Sequence, residues 1–250
     1  MIKRLVFALC LTLVAGLYAA PGMAATAMTV LVTGANRGIG LEMARQLEAR
    51  GMNVIGTARK PATATELNAT GARVEQLDVT DAASIAALAR RLEGVKIDML
   101  VNNAGIAGHT ASSFEETDFT QIGQTFAVNT LGPMRVTQAL LPNLQAGRHK
   151  TVVQISSRMG SIERNSGGYY GYRASKAALN MMNSSLAMEL GPKGFTCVVM
   201  HPGWVKTDMG GEGADITPEV SVKGLLDVLS GLSPDDNGKF YDYQGQEIPW

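Results

Sequence analysis

The 250-residue chain has only two cysteines, Cys10 and Cys197. At most one bridge could join them, which excludes a disulfide-stapled module. It has no net charge, since 22 Lys and Arg balance 22 Asp and Glu. The broad positive field that would draw nucleic acid or anionic lipid is therefore absent, and no nucleic-acid partner is expected. Charged residues are scarce at 18% and hydrophobic ones abundant at 46%, which excludes a disordered chain and a coiled coil. The three histidines, His109, His149 and His201, share no metal-ligand spacing, so no catalytic metal is expected. What remains is a chain of the right length for one large α/β domain with a full core.

The first 27 residues read differently from the rest. Lys3 and Arg4 precede an apolar run over 5–20; Pro21 and Gly22 break it, and small residues such as Ala24, Ala25 and Ala27 follow. This is the pattern of a secretory signal, and the run is also compatible with an uncleaved membrane anchor. A competing reading starts translation at Met28, immediately before the strand-like Thr29-Val30-Leu31-Val32-Thr33, and leaves the protein in the cytoplasm. Beyond the leader Cys197 is the sole cysteine, and its apolar neighbours mark it as a small core residue.

Residues 28–250 form a single domain in which strand and helix patterns alternate. Strands are expected at 30–33, 54–57, 74–77, 99–101, 151–156, 195–200 and 239–241. Helical spacing runs over 39–50, Asp81 caps a helix to about residue 92, and two long helical stretches bracket the fifth strand. Such alternation predicts a doubly wound Rossmann fold: a seven-stranded, mostly parallel sheet with helices on both faces.

The first strand runs into Thr33-Gly34-Ala35-Asn36-Arg37-Gly38-Ile39-Gly40. Glycines here let a pyrophosphate approach the backbone, and the amides and dipole at the start of the next helix favour its charge. The spacing is GxxxGxG, and further motifs follow in order: Asn102-Asn103-Ala104-Gly105; Asn129; Ile155-Ser156-Ser157; Tyr172 and Lys176 as YxxxK; and Pro202-Gly203 with Thr207 four residues on. Taken together these resemble the short-chain dehydrogenase/reductase family over nearly all of 28–250. The ending, from Gly238-Lys239-Phe240 to Pro249-Trp250, looks like the C-factor-type branch.

The chemistry also follows from the residues themselves. Tyr172 and Lys176 share a helix face. An ammonium beside a phenol favours the phenolate, so Tyr172 is expected to titrate below its usual ~10 and to exchange a proton with a carbonyl oxygen. Ser157 ends the fifth strand, where open α/β sheets gather ligands. Ser156 is its rival, because neighbours on a strand point to opposite faces. The resemblance implies that Ser157 holds the substrate oxygen and that Lys176 holds the nicotinamide ribose. It further implies that Asn129 supports a proton-relaying water. Two extra residues between Ser157 and Tyr172 suggest an insertion in 162–168, at the pocket mouth.

Cofactor choice is read at the end of the second strand. NAD-preferring relatives carry an acid there, whereas this chain has Ala58, then Arg59 and Lys60, with Arg37 in the Gly-rich turn. Guanidinium groups suit a 2′-phosphate, so NADP(H) is expected over NAD(H). The resemblance extends the dinucleotide site to Gly34, Asn36, Gly38, Ile39, Gly40, Asp78, Val79, Asn103, Ala104, Gly105, Pro202, Gly203 and Thr207, besides Tyr172 and Lys176. The glycine-rich stretch 207–217 reads as a mobile lid. Trp204 and Met209 are candidate pocket walls. Relatives often form homodimers or homotetramers.

The expected function is interconversion of a ketone or aldehyde and an alcohol by hydride transfer, on a small-molecule substrate. The alternative is a dinucleotide-binding signalling protein of C-factor type with little or no turnover. Export of the domain sits awkwardly with a need for reduced NADP, a tension the sequence leaves open.

Overall fold

A computed structural model describes residues 27–108 and 113–250. Residues 1–26 of the expected leader and His109 lie outside them. Seven strands form one sheet in the order β3-β2-β1-β4-β5-β6-β7, comprising β1 (Thr29–Val32), β2 (Asn53–Ala58), β3 (Arg73–Gln76), β4 (Met99–Asn102), β5 (Thr151–Ile155), β6 (Thr196–His201) and β7 (Phe240–Asp242). Every neighbouring pair is parallel, so "mostly parallel" becomes wholly parallel. The order reverses between β1 and β4, which opens a crevice at their carboxyl ends.

Strand alternation divides the core in two. Leu31, Leu100, Val152 and Cys197 face one side, and pack with Leu88 of α3 (Ala82–Arg91), Val136 of α5 (Gly132–Ala139) and Leu190 of α7 (Tyr170–Leu190). Val30, Val32, Val101, Val153 and Val198 face the other, against Met43 and Leu47 of α1 (Gly38–Ala49) and Leu225 of α8 (Pro218–Ser230). A strand buried on both faces needs apolar residues at consecutive positions, which is why these strands read as unbroken apolar runs. Burial pushes the Cys197 thiol up to about 12, so it packs as an inert core residue. Asp81 accepts from the Ala83 amide at 2.9 Å and caps α3 as its sequence predicts.

The first of the two long helical stretches is interrupted. α4 (Phe119–Phe126) passes into a π-helical turn over Ala127–Leu131 before α5 resumes. In that turn the Gly132 amide donates to the Ala127 carbonyl, five residues back. A short α2 (Thr65–Asn68) and α6 (Leu141–Ala146) complete the helices. Among the described residues, no helix is long and apolar enough to cross a membrane.

Leu100 is fully buried at the centre of the sheet. Leu100→Ala should cost about 2–5 kcal/mol of unfolding free energy; urea denaturation measures it.

Candidate active site

The Gly-rich turn is built by its contacts with β4. Gly34 has φ +65° and Gly38 φ +55°, a region that L side chains rarely adopt. A Cβ on Gly34 would also lie 3.0 Å from the Ala104 Cα. The Thr33 hydroxyl accepts from the Asn103 and Ala104 amides, both at 3.0 Å. In return the Asn103 side-chain amide donates to the carbonyls of Thr33 at 2.9 Å and Gly34 at 3.2 Å. These reciprocal bonds clamp the two strand ends on either side of the crevice. No side chain caps α1 at Arg37, so the first-turn amides at Gly38, Ile39 and Gly40 are left to meet an anion. An uncapped helix start at a sheet's switch point fits a dinucleotide pyrophosphate.

The catalytic candidates converge at the end of β5. Lys176 is 5% exposed, and its ammonium donates to the Ile155 carbonyl at 2.8 Å. That bond ties α7 to the last residue of β5. Tyr172, one turn earlier, lies with its ring centroid 5.9 Å from the ammonium, and its hydroxyl interacts with that of Ser157. Of the two serines, Ser157 faces Tyr172, whereas Ser156 points inward and donates to Asn180 Oδ1 at 2.7 Å. Ser157 also accepts from the Met159 amide at 3.1 Å, which starts the short turn Arg158–Gly160.

Asn129 lies fully buried in the π turn. Its Oδ1 accepts from the Ile106 amide and its Nδ2 donates to the Ile106 carbonyl, both at 2.9 Å; Nδ2 also donates to Ser175 Oγ at 3.2 Å. Gly105 sits between Asn129 and Lys176: a Cβ there would lie 3.3 Å from Asn129 Oδ1 and 3.7 Å from Lys176 Nζ. A candidate site residue thus sits at a distortion of its helix.

The expected acid phenol is corrected. Burial raises Tyr172 above its ordinary value, and the Ser157 hydroxyl offsets this only in part. Burial also lowers Lys176 to about 8. Both charged forms lose water in the same enclosed site, and the ammonium is turned toward the Ile155 carbonyl, so desolvation outweighs attraction.

The remaining candidates line the same crevice or its rim. Arg59 and Lys60 are exposed directly after β2, while Ala58 is buried. Asp78 accepts from the Thr80 hydroxyl at 2.7 Å and amide at 2.9 Å; these bonds, with weaker help from Arg59, hold its carboxyl below its ordinary value. The same bonds close the turn that follows β3. Val79 packs into the core, where Gly132 makes room for it. Asn36 and Arg37 are exposed, and Arg37 pairs with Asp208 at 2.6 Å across the crevice. Pro202 is buried, and Gly203 has φ +88°. Thr207 approaches the Gly-rich turn, since a Cβ on Gly38 would lie 3.3 Å from its methyl group.

The stretch after Thr207 is more tied down than its glycines suggest. The Trp204 indole donates to the Gly210 carbonyl at 2.9 Å, the Gly211 amide to Thr207 at 2.8 Å, and Val205 bridges to Ile216. Trp204 and Met209 are about half exposed. Burial, then Arg158 and Arg164, hold His201 down at about 4, neutral and structural. Among the described residues, no group of three or more His, Cys, Asp or Glu could hold a metal ion.

Sequence reasoning missed the supports. Ser175 receives Asn129 and donates to the Tyr172 carbonyl at 2.8 Å; Thr130 donates to the Ser175 carbonyl at 2.8 Å; Asn180 holds Ser156. Ser175 and Asn180 share the helix of Tyr172 and Lys176, and Thr130 adjoins Asn129, but their partners were not visible.

Comparison with known proteins follows the same outline. Residues 28–215 match the family described as short chain dehydrogenase. The chain belongs to that family. Among proteins similar to this dehydrogenase is the C-signal of Myxococcus xanthus, 48% identical over 62% of this chain and 93% of that protein. The 1-hydroxy-2-glutathionyl-2-methyl-3-butene dehydrogenase of a Rhodococcus species is 38% identical, over 89% and 99%. A crystal structure of NADPH-bound carbonyl reductase from chicken fatty liver superimposes with a TM-score of 0.83 at 38% identity, covering 90% and 99%. This dehydrogenase is an oxidoreductase of the CH–OH/C=O class that uses NAD(P), and its substrates are small molecules.

The lowered Lys176 has a stability consequence. Between pH ~8 and 10.5 the unfolded chain keeps a proton on this lysine that the folded chain has released, so folding stability from this group rises with pH there. Lys176→Met should remove that part of the slope; denaturant midpoints at pH 7.5 and 9.5 for both proteins measure it.

Proposed function

We propose that the chain is an NADP(H)-dependent reductase of ketones or aldehydes, also competent in reverse, in which Tyr172 is the proton donor and acceptor. The observation that carries this reading is the meeting of the Ser157 and Tyr172 hydroxyls beside the buried Lys176 ammonium, at the carboxyl ends of strands that flank an uncapped helix start. The nicotinamide, when bound, supplies or accepts the hydride.

Ser157 orients the substrate oxygen toward Tyr172. A phenol raised by burial stays protonated at neutral pH, which suits it to give a proton as negative charge grows on that oxygen. Lys176, while charged, stabilises the phenolate left behind. Asn129 holds the edge of the site rigid through Ile106 and supports the proposed relay toward Lys176.

Preference for NADP(H) is supported by three features. The buried Ala58 stands where an acid would repel a 2′-phosphate. Arg59 and Lys60 are exposed beside it. The third is the likeness to a reductase that carries NADPH. Arg37 is the second candidate for that phosphate. Its bond to Asp208 is more than two-thirds exposed on both sides, a type of pair that holds weakly.

The signalling alternative draws on the likeness to C-signal. It is not favoured, because the dehydrogenase and reductase relatives span about nine-tenths of this chain and the catalytic group is intact. Residues 1–27 are proposed as an export signal or anchor, on their charge, apolar length and small residues.

Tyr172→Phe should lower kcat for carbonyl reduction by about 100-fold or more while NADPH affinity is retained. Following NADPH absorbance with a panel of aldehydes and ketones tests this, and an unchanged rate refutes the assignment. Arg59→Ala should weaken NADPH binding about tenfold or more and leave NADH binding nearly unchanged; equal losses in titration refute the phosphate contact.

A further inference from the structure

The segment between the two hydroxyls of the catalytic pair is anchored at three places. At its start Gly160 packs onto α7, where a Cβ would lie 2.8 Å from the Lys176 carbonyl carbon, and Asn180 donates to the Gly160 carbonyl at 3.3 Å. At its end Arg173 donates to the Gly167 carbonyl at 3.0 Å and to Ser166 Oγ at 2.7 Å. Its middle is held from far along the chain. The main-chain oxygen of Trp250 accepts from the Glu163 amide at 3.1 Å and from Ser161 Oγ at 3.4 Å. Ser161 is buried, and its Oγ also accepts from the Arg164 amide at 3.2 Å.

Trp250 is itself fixed by the edge of the sheet. After β7 the chain turns back on itself: Asp242 donates to the Gln246 carbonyl at 2.9 Å, Glu247 bridges Tyr241, and the Ile248 amide donates to Phe240 at 2.7 Å. The indole then stacks on the buried Phe240 ring, with centroids 5.5 Å apart and planes 27° apart. Beneath the held loop lies a cavity of about 240 Å³ lined by Met159, Ile162, Tyr170, Arg173 and Ala177 among others. Ile162 is 77% exposed, an apolar side chain the core does not use.

We propose that Trp250 is a positioning residue for the reductase: it holds Ser161 and Glu163 so that the 162–168 loop forms a fixed wall of the substrate mouth. The loop starts five residues after Ser157 and ends four before Tyr172, so a shift at 161–164 moves the approach to both hydroxyls. The anchoring stands on geometry alone, and only its kinetic consequence rests on the reductase reading.

The test uses the full chain and two readouts. In Trp250→Ala, limited trypsin cleavage after Arg164 should run about tenfold faster, because the local opening there costs less. With NADPH and 4-nitrobenzaldehyde or acetophenone, KM for the carbonyl should rise about tenfold while kcat changes less than about twofold. Trp250→Phe, which keeps a stacking ring, should restore both. Ser161→Ala leaves the Phe240 stack untouched and should shift both readouts in the same direction; it decides the question if Trp250→Ala does not fold. Unchanged cleavage in the variants overturns the anchoring, and raised cleavage with unchanged KM overturns the positioning role. If the wild type reduces no carbonyl, the reductase reading fails, and the cleavage rates still decide the anchoring.

Discussion

A buried ammonium on a strand's last carbonyl holds the site in place. Lys176 reaches across from α7 to the Ile155 oxygen, and an apolar side chain there would leave that oxygen unpaired in a closed interior. The bond fixes how far along the strand end the helix sits. Tyr172, one turn back on the same face, is thereby brought to Ser157 without a direct tie of its own to the sheet. Gly105 and Gly160 leave the space this needs, since each lies against Lys176 or its neighbours. The placing of Tyr172 beside Ser157 therefore depends on one contact between helix and strand.

The same enclosure exacts a cost in charge. Burial disfavours phenolate and ammonium alike, so the resting site holds a neutral phenol beside a weakened cation. A sequence argument from proximity alone weighs only the attraction between the two. The outcome depends on how much water each loses, a property of the packed chain.

The fold was legible because its signals are local. Apolar runs marked the strands, Asp81 marked a helix start, and glycines marked the turn after β1. The gathering of Gly34, Asn103, Asn129, Ser157, Tyr172 and Lys176 was legible through motif order. What stayed hidden were contacts between distant segments. Nothing local shows that Thr33 would receive two amides from the residues just after β4, that Asn129 would clamp Ile106, or that Arg37 would meet Asp208. The glycines of 207–217 read as looseness, while the structure uses the stretch for turns bonded among themselves. The interruption between α4 and α5 was visible only in part: Asn129 is a polar residue able to distort a helix, but its bonds to the distant Ile106 are not written in the residues around it.

That wider turn carries one residue more than a regular helix of the same span would need. Its surplus is a matter of a single codon. Losing one residue of Ala127–Leu131 would let the helix close into regular α turns over the same span, and Asn129 would lose its place opposite Ile106. Point substitutions on the flanks leave the bulge in place, so the segment is more tolerant of changes in spelling than of changes in length.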